Sequence, residues 1–361
     1  MHAVTGPDLV VVGGGAIGLA VAWRAAASGL DVTVCDDDPG RGASWVAAGM
    51  LAPVTEAHYG EEALVGLHLA AVARWPSFAA ELAEATGHDV GLRTDGTLAV
   101  ALDDDDLCAL EDLARFQRSL GLDAERLRAR ECRQLEPLLH PRVRGGLFAP
   151  GDHQVDTRRL VRALLVAVER AGVGVVRQRV AGIDVGTGTG RRVTGVRLCD
   201  GTPIATSTVV LTAGSWSGRI AGIPSDAVPP VRPVKGQILR LGTGTRGPQL
   251  ARSVRGLAKG RSVYLVPRAG GELVIGATVE EQGYDTTVTA GAALELLAAA
   301  VDVVPGVAEA ELVEARAGLR PGTPDNAPVL GPSPVDGLVL ATGHYRNGIL
   351  LAPVTGDAIA R

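Results

Sequence analysis

Leu9-Val10-Val11-Val12-Gly13-Gly14-Gly15-Ala16-Ile17-Gly18, followed by an Ala-rich stretch to Ser28-Gly29 and by Val32-Thr33-Val34-Cys35-Asp36, decides the fold. An apolar run, a glycine turn, a helix-forming stretch and an alternating apolar run read as strand, helix, strand. Gly13, Gly15 and Gly18 form GxGxxG at the strand-to-helix turn. They suit a tight turn, backbone approach to a pyrophosphate and close helix–strand packing, with Ala16 and Ile17 opening the helix whose amides face the phosphates. Asp36, with Asp37 beside it, stands where a ribose hydroxyl would be accepted, although Asp36-Asp37-Asp38 also reads as a solvated turn. The unit implies dinucleotide binding and does not separate FAD from NAD. Gly29 is placed for a left-handed cap, with Leu30 closing a Schellman turn.

Outward from this unit, Leu160, Ala163, Leu164, Ala167 and Val168 mark one face of a second helix that ends at Gly172, after which Val173–Val176 resumes a strand. Residues 193–213 read as short strands joined at Asp200-Gly201, and 263–277 as a hairpin about Gly270-Gly271. Leu107, Leu110, Leu113 and Ala114 mark a helix whose start, Asp103–Asp106, reads as a solvated acidic turn and not as a metal site. Gly348 reads as a helix start, with Pro353 near its first turn. Arg361 ends the chain within this helix, and a natural C-terminus is expected to lie beyond it.

The 361 residues are 46% apolar and 21% charged, and 48 are glycine. This is a globular composition rich in tight turns. A net charge of -5 with no basic stripe excludes nucleic acid. Cys35, Cys108, Cys132 and Cys199 form no CxxC and no metal spacing, and read as reduced, buried cytosolic thiols. Met1–Asp8 is neither signal peptide nor anchor, and no uncharged apolar run of bilayer length follows.

Gly42-Ala43-Ser44 through Ala47-Ala48-Gly49-Met50-Leu51-Ala52-Pro53 resembles the second flavin motif of the D-amino-acid oxidase superfamily, and within it the glycine oxidases. Three more stretches carry the likeness: Val209–Ser217, Ala317–Thr323 and Gly343–Leu350. The resemblance implies FAD held without a covalent link, since the cysteine that flavinylated members use lies late in the chain and the last one here is Cys199. It implies flavin contacts from Ser44, Ala47, Ala48, Gly49, Met50 and Leu51, from Val180, and from Ala213, Gly214 and Trp216. It implies further contacts from Arg320 and from His344, Arg346, Asn347, Gly348, Ile349 and Leu350, where a helix N-terminus would stabilise charge developing on the reduced flavin. An ordinary capped helix is the alternative there.

By the same resemblance Arg320 binds the substrate carboxylate, for which a guanidinium offers a bidentate fork. An interdomain salt bridge is its alternative role. Tyr264 assists Arg320, or is simply core; Arg346 is a second arginine of the site, or pins its own turn; Met50 lines the pocket, or fills core. Arg316 stands where relatives often have an aromatic residue and Ser262 where some have histidine, so either departure is expected to bear on substrate preference.

The expected activity is oxidation of a small amino acid, glycine first, then sarcosine or small D-amino acids. Hydride passes to flavin N5, O2 is reduced to H2O2, and the imine supplies thiamine thiazole formation. A D-amino-acid dehydrogenase or sarcosine-type oxidase is the nearest rival, a noncatalytic flavoprotein a remoter one, and an NAD-dependent dehydrogenase the third. The expected architecture is α/β (α+β overall): a Rossmann-like doubly wound FAD-binding domain from residues 1–80, 141–220 and 318–361, with an inserted substrate domain, 81–140 and 221–317, that contains an antiparallel sheet. The family suggests a cytoplasmic homotetramer.

Overall fold

The computed structural model describes residues 6–186, 190–244 and 247–361, so Met1–Thr5 of the N-terminal reading lie outside the described residues. A six-stranded sheet runs in the order Val329–Pro332, Leu338–Thr342, Val209–Leu211, Leu9–Val12, Val32–Cys35, Gly174–Val176. The last five are mutually parallel, and Val329–Pro332 closes the edge antiparallel. Leu9–Val12 is buried throughout, as a parallel strand covered on both faces requires.

Alternate side chains of that strand serve two cores. Leu9 and Val11 point into a cluster with the helices Ala16–Ala27, Val65–Thr86, Thr157–Arg170 and Gly348–Ile359. Val10 and Val12 point the other way, onto Val180, Ile183, Val193 and Val196 of the three-stranded antiparallel sheet Val180–Gly186, Arg192–Leu198, Pro203–Ala205. The first helix ends as expected: Gly29 has φ 91°, its amide donates to Ala26 O, and Leu30 N–H reaches back to Ala25 O at 3.3 Å. Helix Thr157–Arg170 is started by Asp156, whose side chain accepts from the amides of Arg158 and Arg159.

The second sheet has eight strands in the order Glu311–Gly322, Arg232–Gly242, Glu272–Gly276, Arg261–Arg268, Ser253–Ala258, Thr97–Ala101, Gly145–Ala149, Glu125–Arg128. Every pairing in it is antiparallel except that of Ser253–Ala258 with Thr97–Ala101. One face is sealed by helix Ala290–Val303 through Leu296, Ala299, Ala300 and Val303. Residues of the other face, Ile238, Val266 and Tyr264, pack with Val46, Ala48 and Met50.

Three local readings change in three dimensions. Asp103 does cap helix Asp104–Ser119, but Asp106 is buried and accepts the amides of Lys259 and Gly260, tying the helix to a hairpin tip, so two of the four acids of a turn that looked solvated are structural. Pro353 sits inside Gly348–Ile359 beyond the first turn, where its ring forfeits one intrahelical bond. Glu62–Thr86 has the length and mean hydropathy, 1.2, of a membrane span. Its Trp75 and Phe78 nevertheless pack in the first core, Trp75 Nε1 donates to Leu350 O at 2.9 Å, and Arg74 pairs with Asp357.

Candidate active site

The two sheets enclose one elongated cavity of about 930 Å³, which runs from the glycine turn to Arg320 and Tyr264. Its size falls at the upper end of the roughly 300–1,000 Å³ of small-molecule sites.

At one end, Gly13 holds φ 105°, and a Cβ there would meet Thr212 O at 2.6 Å. A Cβ on Gly18 would lie 1.9 Å from Gly13 O, so the third glycine serves helix–strand contact and stays behind the wall. Thr212, which sequence reasoning passed over, donates its hydroxyl to the carbonyls of Val12 and Gly13 and fixes the turn from the neighbouring strand. Asp36 accepts Gly14 N–H at 2.6 Å and Asp38 N–H at 2.9 Å. Burial raises its pKa, against those amide bonds. Ser44 Oγ accepts Ala16 N–H. Gly13, Gly15, Ala16, Ile17, Asp36, Asp37 and Ser44 all face the cavity. Backbone amides at the glycines and the first turn of the helix as donors to a pyrophosphate, with a carboxylate as acceptor from a ribose, match a dinucleotide, and FAD fits them.

The middle of the cavity is walled by Ala47, Ala48, Gly49, Met50, Val180, Ala213, Gly214 and Trp216, and by His344, Gly348 and Ile349. His344 is buried, its Nε2 lies 3.1 Å from Thr355 Oγ1, and burial pushes its pKa down to about 3, so the ring is neutral. Leu51, Asn347 and Leu350 do not reach the cavity. Leu51 and Leu350 point into the first core, and Asn347 is buried at the helix start.

At the far end the strands bring together what the sequence holds far apart. Arg320 lies over Gly236, where a Cβ would come within 2.4 Å of its guanidinium. Its Nη1 donates to Thr278 O at 3.1 Å and Lys235 O at 3.4 Å, and among the described residues it forms no ion pair. Tyr264 lies across the opposed Gly276, which leaves room for its ring. Burial raises its phenol pKa, although Arg320 pulls the other way, so the hydroxyl keeps its proton and can donate. Ser262 faces the cavity. Arg316 does not: it is exposed on the outer strand and pairs with Glu314, so that departure acts away from the pocket.

Three charged groups at this end, Arg255, Glu56 and Glu61, and the neutral His58 had no sequence signal, while Arg346 was expected. Arg255 pairs in register with Tyr264 and binds Glu56 at 2.6 Å, and Arg346 binds Glu61 and comes within 4.0 Å of Glu56. Burial opposes charge on Glu56, but Arg255 and then Arg346 hold its pKa below the usual carboxylate range. His58 faces the cavity, and burial followed by Arg346 lowers its pKa, so it is uncharged near neutrality.

The chain just before Glu56 is set in place by Asp152, a fully buried carboxylate that accepts the amides of Val54 and Thr55 and the Thr55 hydroxyl. Burial raises the Asp152 pKa to about 6 from 3.8. The folded protein therefore takes up a proton that the unfolded chain releases between those values. This group's contribution is full below about pH 4 and is lost as pH rises through about 6, a change of roughly 3 kcal/mol. Urea unfolding of the native protein is expected to show this component between pH 4 and 6, and Asp152→Asn is expected to remove it.

A family model described as FAD dependent oxidoreductase matches residues 8–361. A glycine oxidase of Pseudomonas putida is 36% identical over 96% of this chain and 92% of its own. A bifunctional protein ThiO/ThiG of Trichormus variabilis is 34% identical over 98% of this chain, which spans 52% of that protein. The crystal structure of glycine oxidase from Geobacillus kaustophilus superposes with TM-score 0.87 at 34% identity, covering 98% of this chain and 93% of that one. That of an iminodiacetate oxidase from Chelativorans sp. BNC1 superposes with TM-score 0.84 at 27% identity, covering 98% and 94%.

Proposed function

This chain belongs to the family of FAD-dependent oxidoreductases, and on that premise we propose that it oxidises glycine, and less readily sarcosine and small D-amino acids. The observation that carries the reading is Arg320. It faces the cavity beside Tyr264 with no carboxylate partner among the described residues, whereas Arg255 and Arg346 are both neutralised. A guanidinium in this state favours a ligand carboxylate.

FAD supplies a two-electron acceptor for the hydride of the substrate's α-carbon, and O2 takes the electrons on to hydrogen peroxide. Arg320 and the protonated Tyr264 hold the carboxylate, which aims the α-carbon along the cavity toward the Met50 wall. Arg255–Glu56 and neutral His58 close the end. No side-chain base is required, because the neutral amine of the substrate drives hydride departure; rate then comes from orientation within about 3.5 Å. Water hydrolyses the resulting imine.

The non-covalent reading is supported by the cysteines. Cys108 and Cys199 are exposed, where burial was expected of all four cysteines, and lie outside the cavity; Cys35, which faces it, is kept protonated by burial at a pKa of about 11. The further readings are delivery of the imine to thiamine thiazole formation, supported by the likeness to the bifunctional relative, and a cytoplasmic homotetramer. We keep 1–80, 141–220 and 318–361 as the FAD-holding unit and 81–140 with 221–317 as the substrate unit, supported by the two main sheets, although Gly145–Ala149 and the end of Glu311–Gly322 pair in the larger sheet across those bounds.

The purified protein is expected to carry flavin that glycine bleaches without oxygen. Flavin unmoved by glycine, sarcosine and D-alanine overturns the reading. Tyr264→Phe removes one hydrogen bond to a charged carboxylate, worth about 1.5–3 kcal/mol, so kcat/KM for glycine is expected to fall about 10- to 100-fold.

A further inference from the structure

Three arginines surround Tyr264 and Glu56 on the cavity wall, yet their charges are not equally available. Arg255 Nη1 lies 2.6 Å from Glu56 Oε1, with the two side chains only 19% and 14% exposed. Arg346 is bonded to Glu61, and Asn326 donates to the second oxygen of that carboxylate at 2.7 Å. Two guanidiniums thus meet two carboxylates, and the cluster sums to zero. Arg320 meets only carbonyl oxygens.

Arg255 sits in register with Tyr264, and its Nη1 is 3.9 Å from Met50 Sδ, so it lies within the substrate end of the cavity. A ligand whose first carboxylate is on Arg320 would bring a second acidic group toward Arg255. There it would meet a cation already satisfied and, beside it, the Glu56 carboxylate. Like charges at contact distance in a poorly solvated pocket repel strongly. Asp152 fixes the backbone that precedes Glu56 through Val54 and Thr55, and Arg255 holds the Glu56 carboxylate itself.

We propose that Glu56, by masking Arg255, is a specificity determinant that restricts this site to amines with a single carboxylate and rejects N-carboxymethyl and other dicarboxylic amines. The inference rests on the amino-acid reading above. Exclusion of this kind is a repulsive element added to an attractive one, which is how closely related ligands are separated.

Binding of two inert ethers to the flavin-loaded protein tests it: methoxyacetate, with one carboxylate, and oxydiacetate, with two. Both dissociation constants are read from the shift of the visible flavin band. Native protein is expected to bind oxydiacetate at least tenfold more weakly than methoxyacetate, and Glu56→Gln is expected to shrink that ratio at least tenfold. Glu56→Gln combined with Arg255→Gln is expected to bind oxydiacetate more weakly than Glu56→Gln alone, since the freed cation is gone, and equal binding by the two variants overturns the unmasking of Arg255. Equal binding by native protein, or a ratio unchanged in Glu56→Gln, overturns the proposal. If glycine bleaches the flavin while both ethers bind alike, charge exclusion fails and the amino-acid reading stands. If glycine and both ethers leave the flavin unmoved, the amino-acid reading fails and the exclusion falls with it.

Discussion

Arg320→Met is expected to lower kcat/KM for glycine by about 30- to 5,000-fold, because losing one partner of a desolvated, hydrogen-bonded charge pair costs about 2–5 kcal/mol. The side chain is roughly conserved in length and still fits over Gly236, so the fold should survive. What disappears is the unmatched cation of the substrate end. KM should rise because the carboxylate contact is made in the bound state, and kcat should fall as well because the same contact aims the α-carbon. Arg320→Lys retains the charge and loses the planar fork, and is expected to recover only part of the loss. Steady-state peroxide production against glycine checks both variants. A kcat/KM for Arg320→Met within threefold of native would remove Arg320 from substrate binding.

Gly18→Val is expected to yield protein that is colourless as purified and destabilised by roughly 3 kcal/mol, the upper part of the usual overpacking cost. A Cβ at this position would lie 1.9 Å from Gly13 O and 2.6 Å from Thr212 Oγ1. One of these atoms is backbone and the other is held by two hydrogen bonds, so relief requires the helix to move off the strand. That movement carries the helix N-terminus away from the cavity. Gly29→Ala is the control: Gly29 has φ 91° but no atom within 4 Å of an added Cβ. It is expected to cost about 1 kcal/mol of backbone strain and to leave flavin binding intact. The ratio of visible to ultraviolet absorbance and the denaturant midpoint report both effects, and a yellow Gly18→Val protein of native stability would refute the packing argument.

By itself the sequence determined the parts that depend on short spans of chain. GxGxxG after an apolar run, an acid at the end of the next strand, the left-handed glycine at residue 29 and the helix starting at Gly348 are all encoded within a few residues by turn geometry and helix periodicity. The flavin motif and the stretches around Arg320 and Arg346 were also legible, because residue order alone carries a resemblance. Tertiary structure decided which charges are spent. Arg255, the Glu56–Glu61 stretch and Arg346 come from three separate parts of the chain, and tertiary contacts, among them the pairing of Ser253–Ala258 with Arg261–Arg268 and the pinning of residues 54 and 55 by Asp152, bring them together. The same holds for Asp106, whose burial depends on a hairpin tip about 150 residues away in sequence, and for Arg316, which strand register turns outward onto Glu314. The reason is physical. Local conformation is set by a residue's own backbone preferences and near neighbours, whereas the availability of a charge depends on which opposite charge the packed sheets place within hydrogen-bonding distance.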